Sequence, residues 1–260
     1  MFDHQLDCAG DDAPSAGDPA PRQETNSCAM ELNRRYGALP APALLDTMLR
    51  HIFPGRVALV SSFGTESAVL LHLVAQIDRS TPVLFLDTGM LFDQTLLYKD
   101  ELANRLGLTD IRVLRPDPAA LHEDGRDGTL WNSVPDHCCH LRKVLPLAAG
   151  LRGFDAWITG RKRFQGGARQ TLPAIEADTD GRTKINPLAN WTPAEIAAYF
   201  RAHDLPRHRL EADGYRSIGC IPCTDRVADG EHPRAGRWRH ATKTECGIHT
   251  TVPPLAAWSS

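Results

Sequence analysis

Four cysteines in two close pairs, Cys138-Cys139 and Cys220-Ile221-Pro222-Cys223, offer the clearest chemistry in the chain. Four thiolates are the usual complement of a [4Fe–4S] cluster or a structural zinc. The adjacent pair matches neither the usual zinc spacing nor the ferredoxin pattern, so spacing favours a four-cysteine metal site and leaves the metal open. Either pair of thiols alone could act as a redox couple. A fifth cysteine, Cys246, stands in Lys243-Thr244-Glu245-Cys246-Gly247-Ile248-His249. Lys243 and His249 could lower its pKa, as a nucleophile requires, although an incidental surface thiol is the plainer local reading. Cys8 and Cys28 read as bystanders in an acidic N-terminal stretch.

A second kind of residue points to an anion. Ser61-Ser62-Phe63-Gly64-Thr65-Glu66-Ser67 follows an apolar run and precedes a helical one, so its N–H groups and hydroxyls could receive an anion at a helix N-terminus. It is neither a Walker loop nor a Gly-x-Gly-x-x-Gly fingerprint. Asp87-Thr88-Gly89, after the next apolar run, could bind ribose or simply cap a helix. Residues 142–169 carry seven bases (Arg142, Lys143, Arg152, Arg161, Lys162, Arg163, Arg169) against the single acid Asp155. A solvated face is the common outcome for such a run, but its place after a strand favours a small, multiply charged anion.

These residues need elements to position them. Apolar runs at 57–60, 82–86, 111–114 and 156–159 alternate with helical periodicity at 68–77, 92–106 and 138–151. That alternation predicts an α/β fold, a parallel sheet flanked by helices, with ligands beyond the carboxyl ends of the strands. Thr192-Pro193-Ala194-Glu195 opens a further helix, running to about His203, with a capping residue, a first-turn proline and a reciprocal glutamate. Residues 1–38 read as a disordered acidic tail, 39–215 as the catalytic domain, and 216–260 as an irregular arm of the same functional unit. With 29 Lys+Arg against 32 Asp+Glu the net charge is −3, which argues against a nucleic-acid binder. No run reaches the ~18 apolar residues of a membrane helix. The acidic start Met1–Asp7 carries no secretory signal, so a cytoplasmic protein is expected.

Together the motifs resemble those of the assimilatory adenylylsulfate (APS) reductases of the APS/PAPS reductase family. The resemblance covers about residues 40–249 and rests on Ser61–Glu66, Leu86–Gly89, Cys138-Cys139 with Arg142-Lys143, and Gly160–Gln165. Further along it rests on Asn186–Leu188, Gly219–Thr224, Gly236–Trp238 and Glu245–His249. It implies a Rossmann-like fold of the ATP-pyrophosphatase type, and a [4Fe–4S] cluster on Cys138, Cys139, Cys220 and Cys223. It also implies that Cys246 attacks the sulfur of APS, expels AMP and forms an S-sulfocysteine, from which thioredoxin or glutaredoxin releases sulfite for cysteine biosynthesis. Substrate contacts are expected from Ser61, Ser62, Phe63, Gly64, Glu66, Asp87, Thr88, Gly89, Lys143, Gly160, Lys162, Arg163, Arg169, Arg237 and His249.

Two positions depart from the family pattern: Lys162 stands where Arg is usual, and Ser67 where an acid is common. Other readings compete. The substrate could be PAPS, or both nucleotides, although family members restricted to PAPS typically lack the paired cysteines. Adenylating ATP pyrophosphatases would want a Ser-Gly-Gly-type loop, and an iron–sulfur or zinc sensor for nucleic acid would want a broad basic surface. A homo-oligomer is allowed for.

Overall fold

The structure is a computed structural model that describes residues 22–124 and 128–249. Strands β1 (Val57–Ser61), β2 (Val83–Leu86), β3 (Ile111–Leu114), β4 (Ala156–Ile158), β5 (Ile175–Ala177) and β6 (Thr183–Ile185) form one sheet. Their order is β3-β2-β1-β4-β6-β5, and every pair is parallel except β5 with β6. The helices are α1 (Arg22–Tyr36), α2 (Ala41–Asp46), α3 (Ser67–Ile77), α4 (Asp93–Leu106), α5 (Pro118–Asp124), α6 (Leu130–Ser133), α7 (Pro135–Cys139), α8 (Leu145–Gly150) and α9 (Pro193–Ala202). The expected α/β class with a mostly parallel sheet is therefore present.

The central strands β1, β2 and β4 are apolar on both faces because both faces are covered. Val57, Leu59, Val83, Phe85, Ala156 and Ile158 point into the larger core, with side chains from α2, α3, α4 and α9. Their neighbours Ala58, Leu84, Leu86 and Trp157 point the other way, against Leu147, Leu151 and Ile248. The period of two along each strand sorts residues between the two layers. Leu59 sits opposite Val83 on one side and Ile158 on the other, which fixes the register at the centre.

From β1 the chain winds through α3, β2 and α4 to β3 on one side, and β4 lies on the other side of β1. The winding reverses between β1 and β4, so a crevice opens beyond their carboxyl ends. Thr192 accepts from Glu195 N at 3.2 Å while the Glu195 carboxylate accepts from Thr192 N at 2.7 Å, the expected reciprocal cap of α9. Gly107 ends α4 at φ +65°, a left-handed turn whose N–H bonds back into the helix.

Two expectations change, and one element was not foreseen. The tail expected over 1–38 is in part helix α1, with Ala29 and Leu32 buried against the larger core. Its overall polarity hid a single apolar stripe, and α1 docks on β5, where Asn33 Oδ1 accepts from Ile175 N at 3.0 Å. Cys28, on α1, is disulfide-bonded; Cys8 and the rest of 1–21 lie outside the described residues. The helix expected over 138–151 begins earlier, at Pro135, and is interrupted over His140–Val144 by a widened turn in which Leu145 N bonds to His140 O. Pro146 has no N–H to give Arg142 O and would crowd it, which a widened turn relieves. The β5–β6 hairpin was not anticipated: its strands are three residues each and its turn carries Gly181 at φ +81°.

Candidate active site

A cavity opens at the crevice between β1 and β4. Leu59–Ser62 and Gly64–Ser67 form one wall and Trp157 with Thr159–Lys162 the other. The loop Arg216–Gly219 and the turn Pro233-Arg234 with Arg237 and Trp238 complete it, together with Cys246, Ile248 and His249.

The turn after β1 is built around Phe63, at φ +48° a bulky residue in the left-handed region. Its ring is fully buried edge-on to Phe85, with centroids 5.3 Å apart, and its N–H donates to Ser61 Oγ at 3.2 Å. That burial offsets the backbone strain and sets Gly64–Ser67 on the cavity wall. Phe63 itself is thus core, not cavity. Thr65 Oγ1 donates to Arg216 O at 3.1 Å, tying the turn to the loop before Cys220.

Of the other expected substrate contacts, Ser61, Ser62, Gly64, Glu66, Thr88, Lys143, Gly160, Lys162, Arg169, Arg237 and His249 line the cavity. Asp87, Gly89 and Arg163 do not. Asp87 pairs with Arg115 at 3.0 Å and accepts from Gly89 N, so both serve the turn. Arg163 donates to Leu172 O at 2.7 Å and bonds through its N–H to Ala189 O, which makes it a backbone clamp. A polar residue after a strand can face the ligand or the loop, and sequence does not say which.

The lining is rich in cations with uneven compensation. Lys162, buried, pairs with Glu66 at 2.9 Å and donates to Gly160 O. Arg161 lies beneath, paired with Glu176 and 3.2 Å from Asn186 Oδ1. Arg169 is gripped by Glu245. Among the described residues, Lys143 and Arg237 have no carboxylate within salt-bridge distance. Arg237 packs flat on Gly219, where a Cβ would collide with the guanidinium, and lies 4.5 Å from the Trp238 ring centroid. Arg234 and Arg216 also line the cavity and were not singled out in the sequence; neither follows a strand, and no spacing marks them.

Cys246 is half-buried at this wall. A hydrogen bond from the Cys139 thiol, with Lys143, the Ile248 N–H and Lys243, holds it well below the ordinary thiol pKa although burial opposes this. Burial works to lower the Lys143 pKa, but its electrostatic attraction to the sulfurs of Cys220, Cys246 and Cys139 raises it overall. Were Cys139 to ligate iron, its hydrogen bond would vanish while both lysines remained. His249 stacks on Trp157, with centroids 5.8 Å apart and planes 5° from parallel. Burial, then Arg161, Lys184, Arg169 and Arg234, keep its imidazole neutral well below its ordinary pKa.

The paired cysteines lie behind this wall. Cys138, Cys139 and Cys220 are buried and Cys223 half-buried, all as free thiols. The turn after β2 carries the second pair: Ile221 N donates to Met90 O at 2.7 Å and Thr88 Oγ1 lies 3.3 Å from Cys220 Sγ. Among the described residues, no group of three or more His, Cys, Asp or Glu side chains is drawn together around one metal position. The surroundings nevertheless suit a sulfur-ligated group. Both ring nitrogens of His140, the residue after Cys139, are buried without a partner, as are Nε of Arg142, whose charge acts on Cys138, and Nε1 of Trp238, whose backbone N–H donates to Cys223 O at 3.3 Å. Such nitrogens fit a site whose acceptors are thiolates or sulfides.

Comparison with known proteins gives the family. The phosphoadenosine phosphosulfate reductase domain matches residues 56–226. Adenosine 5′-phosphosulfate reductases of Mesorhizobium japonicum and Chelativorans sp. are 51% and 50% identical to it. Those matches cover 85% and 88% of this chain and 87% and 93% of theirs. Among solved structures, the phosphoadenylyl-sulfate (PAPS) reductase of Candida auris, a phosphate complex, aligns with TM-score 0.64 at 27% identity, over 76% of this chain and 96% of that one. An FMN adenylyltransferase of Candida glabrata, at TM-score 0.51 and 15% identity over 90% of this chain and 86% of that one, shares the fold alone. With the family domain spanning more than half of its length, the chain is an enzyme of the phosphoadenosine phosphosulfate reductase family.

Proposed function

We propose that this enzyme reduces adenosine 5′-phosphosulfate to sulfite and AMP, with Cys246 as nucleophile. The observation that carries the reading is the Cys246 thiol facing a cavity lined by Lys143, Arg169, Arg234 and Arg237 at the sheet's switch point. The Cys246 thiolate attacks the sulfate sulfur, the sulfur–oxygen bond to the phosphate breaks, and AMP leaves with the electron pair. Lys143 and Arg237, with no carboxylate of their own among the described residues, meet the charge that develops on the sulfate and phosphate oxygens. The enzyme is left as S-sulfocysteine. A thiolate of reduced thioredoxin then attacks Cys246 Sγ, and sulfite departs with the bonding pair. The second thioredoxin thiol resolves the mixed disulfide, so the dithiol supplies both electrons and Cys246 is restored.

Cys138, Cys139, Cys220 and Cys223 would hold a [4Fe–4S] cluster, which would supply a fixed field beside Lys143 rather than electrons. Ser61, Ser62, Gly64 and the N–H groups opening α3 would receive the nucleotide, with Gly160 and Lys162 opposite. The setting is sulfate assimilation toward cysteine in the cytoplasm.

A second reading keeps the chemistry and changes the nucleotide. A Gloeobacter violaceus relative, 39% identical over 84% of this chain and 92% of its own length, is named phosphoadenosine 5′-phosphosulfate reductase. Sulfite release from each nucleotide, with anaerobically purified protein and reduced thioredoxin, tests both. Release from APS by wild type and none by Cys246→Ser is expected. Equal use of the 3′-phosphorylated nucleotide replaces the proposal with dual specificity, and release from neither by protein with its metal site intact overturns it.

A further inference from the structure

His249 and Cys246 belong to one short turn. The His249 N–H donates to Cys246 O at 3.1 Å, so the place given to the imidazole fixes the place of the thiol before it. Two side chains of the turn seat it on the sheet. His249 lies flat on Trp157, and Ile248 packs against the smaller core of which that indole is part.

Trp157 is itself held by its neighbours in the sheet. On β4 it stands between Ala58 of β1 and Lys184 of β6. Ala58 is small and leaves room for the indole, and the Lys184 ammonium lies 4.7 Å from the ring centroid. Trp157 Nε1 donates to Asp178 Oδ2 at 2.8 Å, while Asp178 Oδ1 pairs with Lys184 at 3.1 Å. Asp178 opens the β5–β6 turn, where its N–H donates to Arg182 O at 2.7 Å. Neither charged side chain is more than 10% exposed, and neither lines the cavity. The hairpin that the sequence did not announce therefore fixes the plane of the indole.

A stacked imidazole gives up its face and keeps its edge, so an arriving anion can meet His249 without undoing the seat. A ring face and an apolar side chain are contacts for which an anion does not compete.

We infer that Trp157 is a positioning residue: fixed by Asp178 and Lys184, it is the platform on which His249 lies, and it thereby holds Cys246 within reach of the bound sulfate. This rests on the proposed reading of Cys246 as the nucleophile toward that sulfate. The seat persists in the loaded enzyme, the state in which the thiolate attacks. An aromatic pair is also weak enough to part when the reductant needs the sulfur.

The test is the rate at which the full chain, purified anaerobically with its metal site intact, forms the S-sulfo adduct of Cys246 from APS without thioredoxin. Intact-protein mass reads the adduct, and the dissociation constant of AMP is measured beside it. Trp157→Met, which stays apolar and loses the flat face, should form the adduct about tenfold more slowly, the weight of one aromatic pair, with AMP affinity within about twofold of wild type. Trp157→Phe, which keeps a flat ring and loses the anchored N–H, should recover most of that rate. A merely structural role would weaken AMP binding and adduct formation together, and the ring would bring no recovery. Should Trp157→Met fold poorly, a proton NMR spectrum of the wild type with AMP bound serves instead. The His249 ring protons, identified by their loss in His249→Asn, should lie upfield of those of an exposed histidine because the indole shields them. A wild-type adduct rate in Trp157→Met, a Trp157→Phe no faster than Trp157→Met, or an unshielded His249 ring overturns the inference alone. No adduct from the wild type overturns the proposed reaction, and the positioning role with it.

Discussion

The two halves of the cavity wall are held by different forces. Loops after β1 and β4 hang from strands whose hydrogen bonds and buried faces fix them; Ser61 and Gly160 can move only if the sheet does. Opposite them, the arm from Arg216 to His249 has no strand or α-helix among the described residues, only short turns and two isolated bridges, Leu91 with Cys220 and Thr224 with Arg237. Ion pairs, an aromatic stack and guanidiniums on Trp238 hold it. Such contacts are individually weak and separately breakable. The division suits a reaction in which the nucleotide must be held still while the thiol changes partners.

The two halves break differently. Cys246→Ser should lower sulfite release by at least about a thousandfold and leave the unfolding midpoint near wild type, because the sheet carries the stability. Trp157→Ala should do the reverse damage first, costing about 3–5 kcal/mol of stability in a denaturant titration, since this fully buried indole packs the smaller core. Lys143→Met, at the seam between the halves, should reduce kcat/KM about a hundredfold with stability little changed, and Lys143→Arg should recover part of it. Thr192→Ala, far from the cavity, should cost only about 1 kcal/mol through the lost cap of α9, with activity untouched.

A pH titration gives the finest comparison. Burial works to raise the Glu245 pKa, but the hydrogen bonds and charge of Arg169, with Arg234 and Arg161, hold it below its ordinary 4.5. A lowered carboxylate pKa gives stability that is present above the unfolded value and lost as pH falls through the folded one. The difference in denaturant midpoint between wild type and Glu245→Gln should therefore be constant above about pH 5.5 and shrink below 4.5, a change on the order of 1 kcal/mol. A difference that persists unchanged at pH 3.5 would mean that the lost pair is not what separates the two proteins.

The same division governs what the sequence could tell. Strands β1, β2 and β4 are apolar runs, and the loops after them were readable because chain order alone puts them at the carboxyl edge. Which way a loop residue turns was not readable: Phe63, Asp87 and Arg163 fit a ligand-binding pattern yet face core, turn and backbone. In the arm, Cys246 stood out by residue type. Its partners did not, because Arg169 and Glu245 are 76 positions apart and no periodicity links them. Helix α1 escaped notice for a related reason, since one stripe carrying Ala29 and Leu32 is too little against a polar background.

That helix has a consequence for how the protein behaves among copies of itself. β5 ends the sheet on one side, and an end strand offers unpaired backbone groups to any extended chain nearby. Here α1 lies along it, and the side-chain oxygen of Asn33 takes the Ile175 N–H that would otherwise face outward. The far edge, β3, is four residues long and bears Arg112. A chain shortened to begin after Gly37 would keep every residue of the cavity and still be a poorer protein in solution, because it would carry a free sheet margin with an apolar strip beside it. Helix α1 thus covers a margin of the sheet that lies apart from the cavity lining.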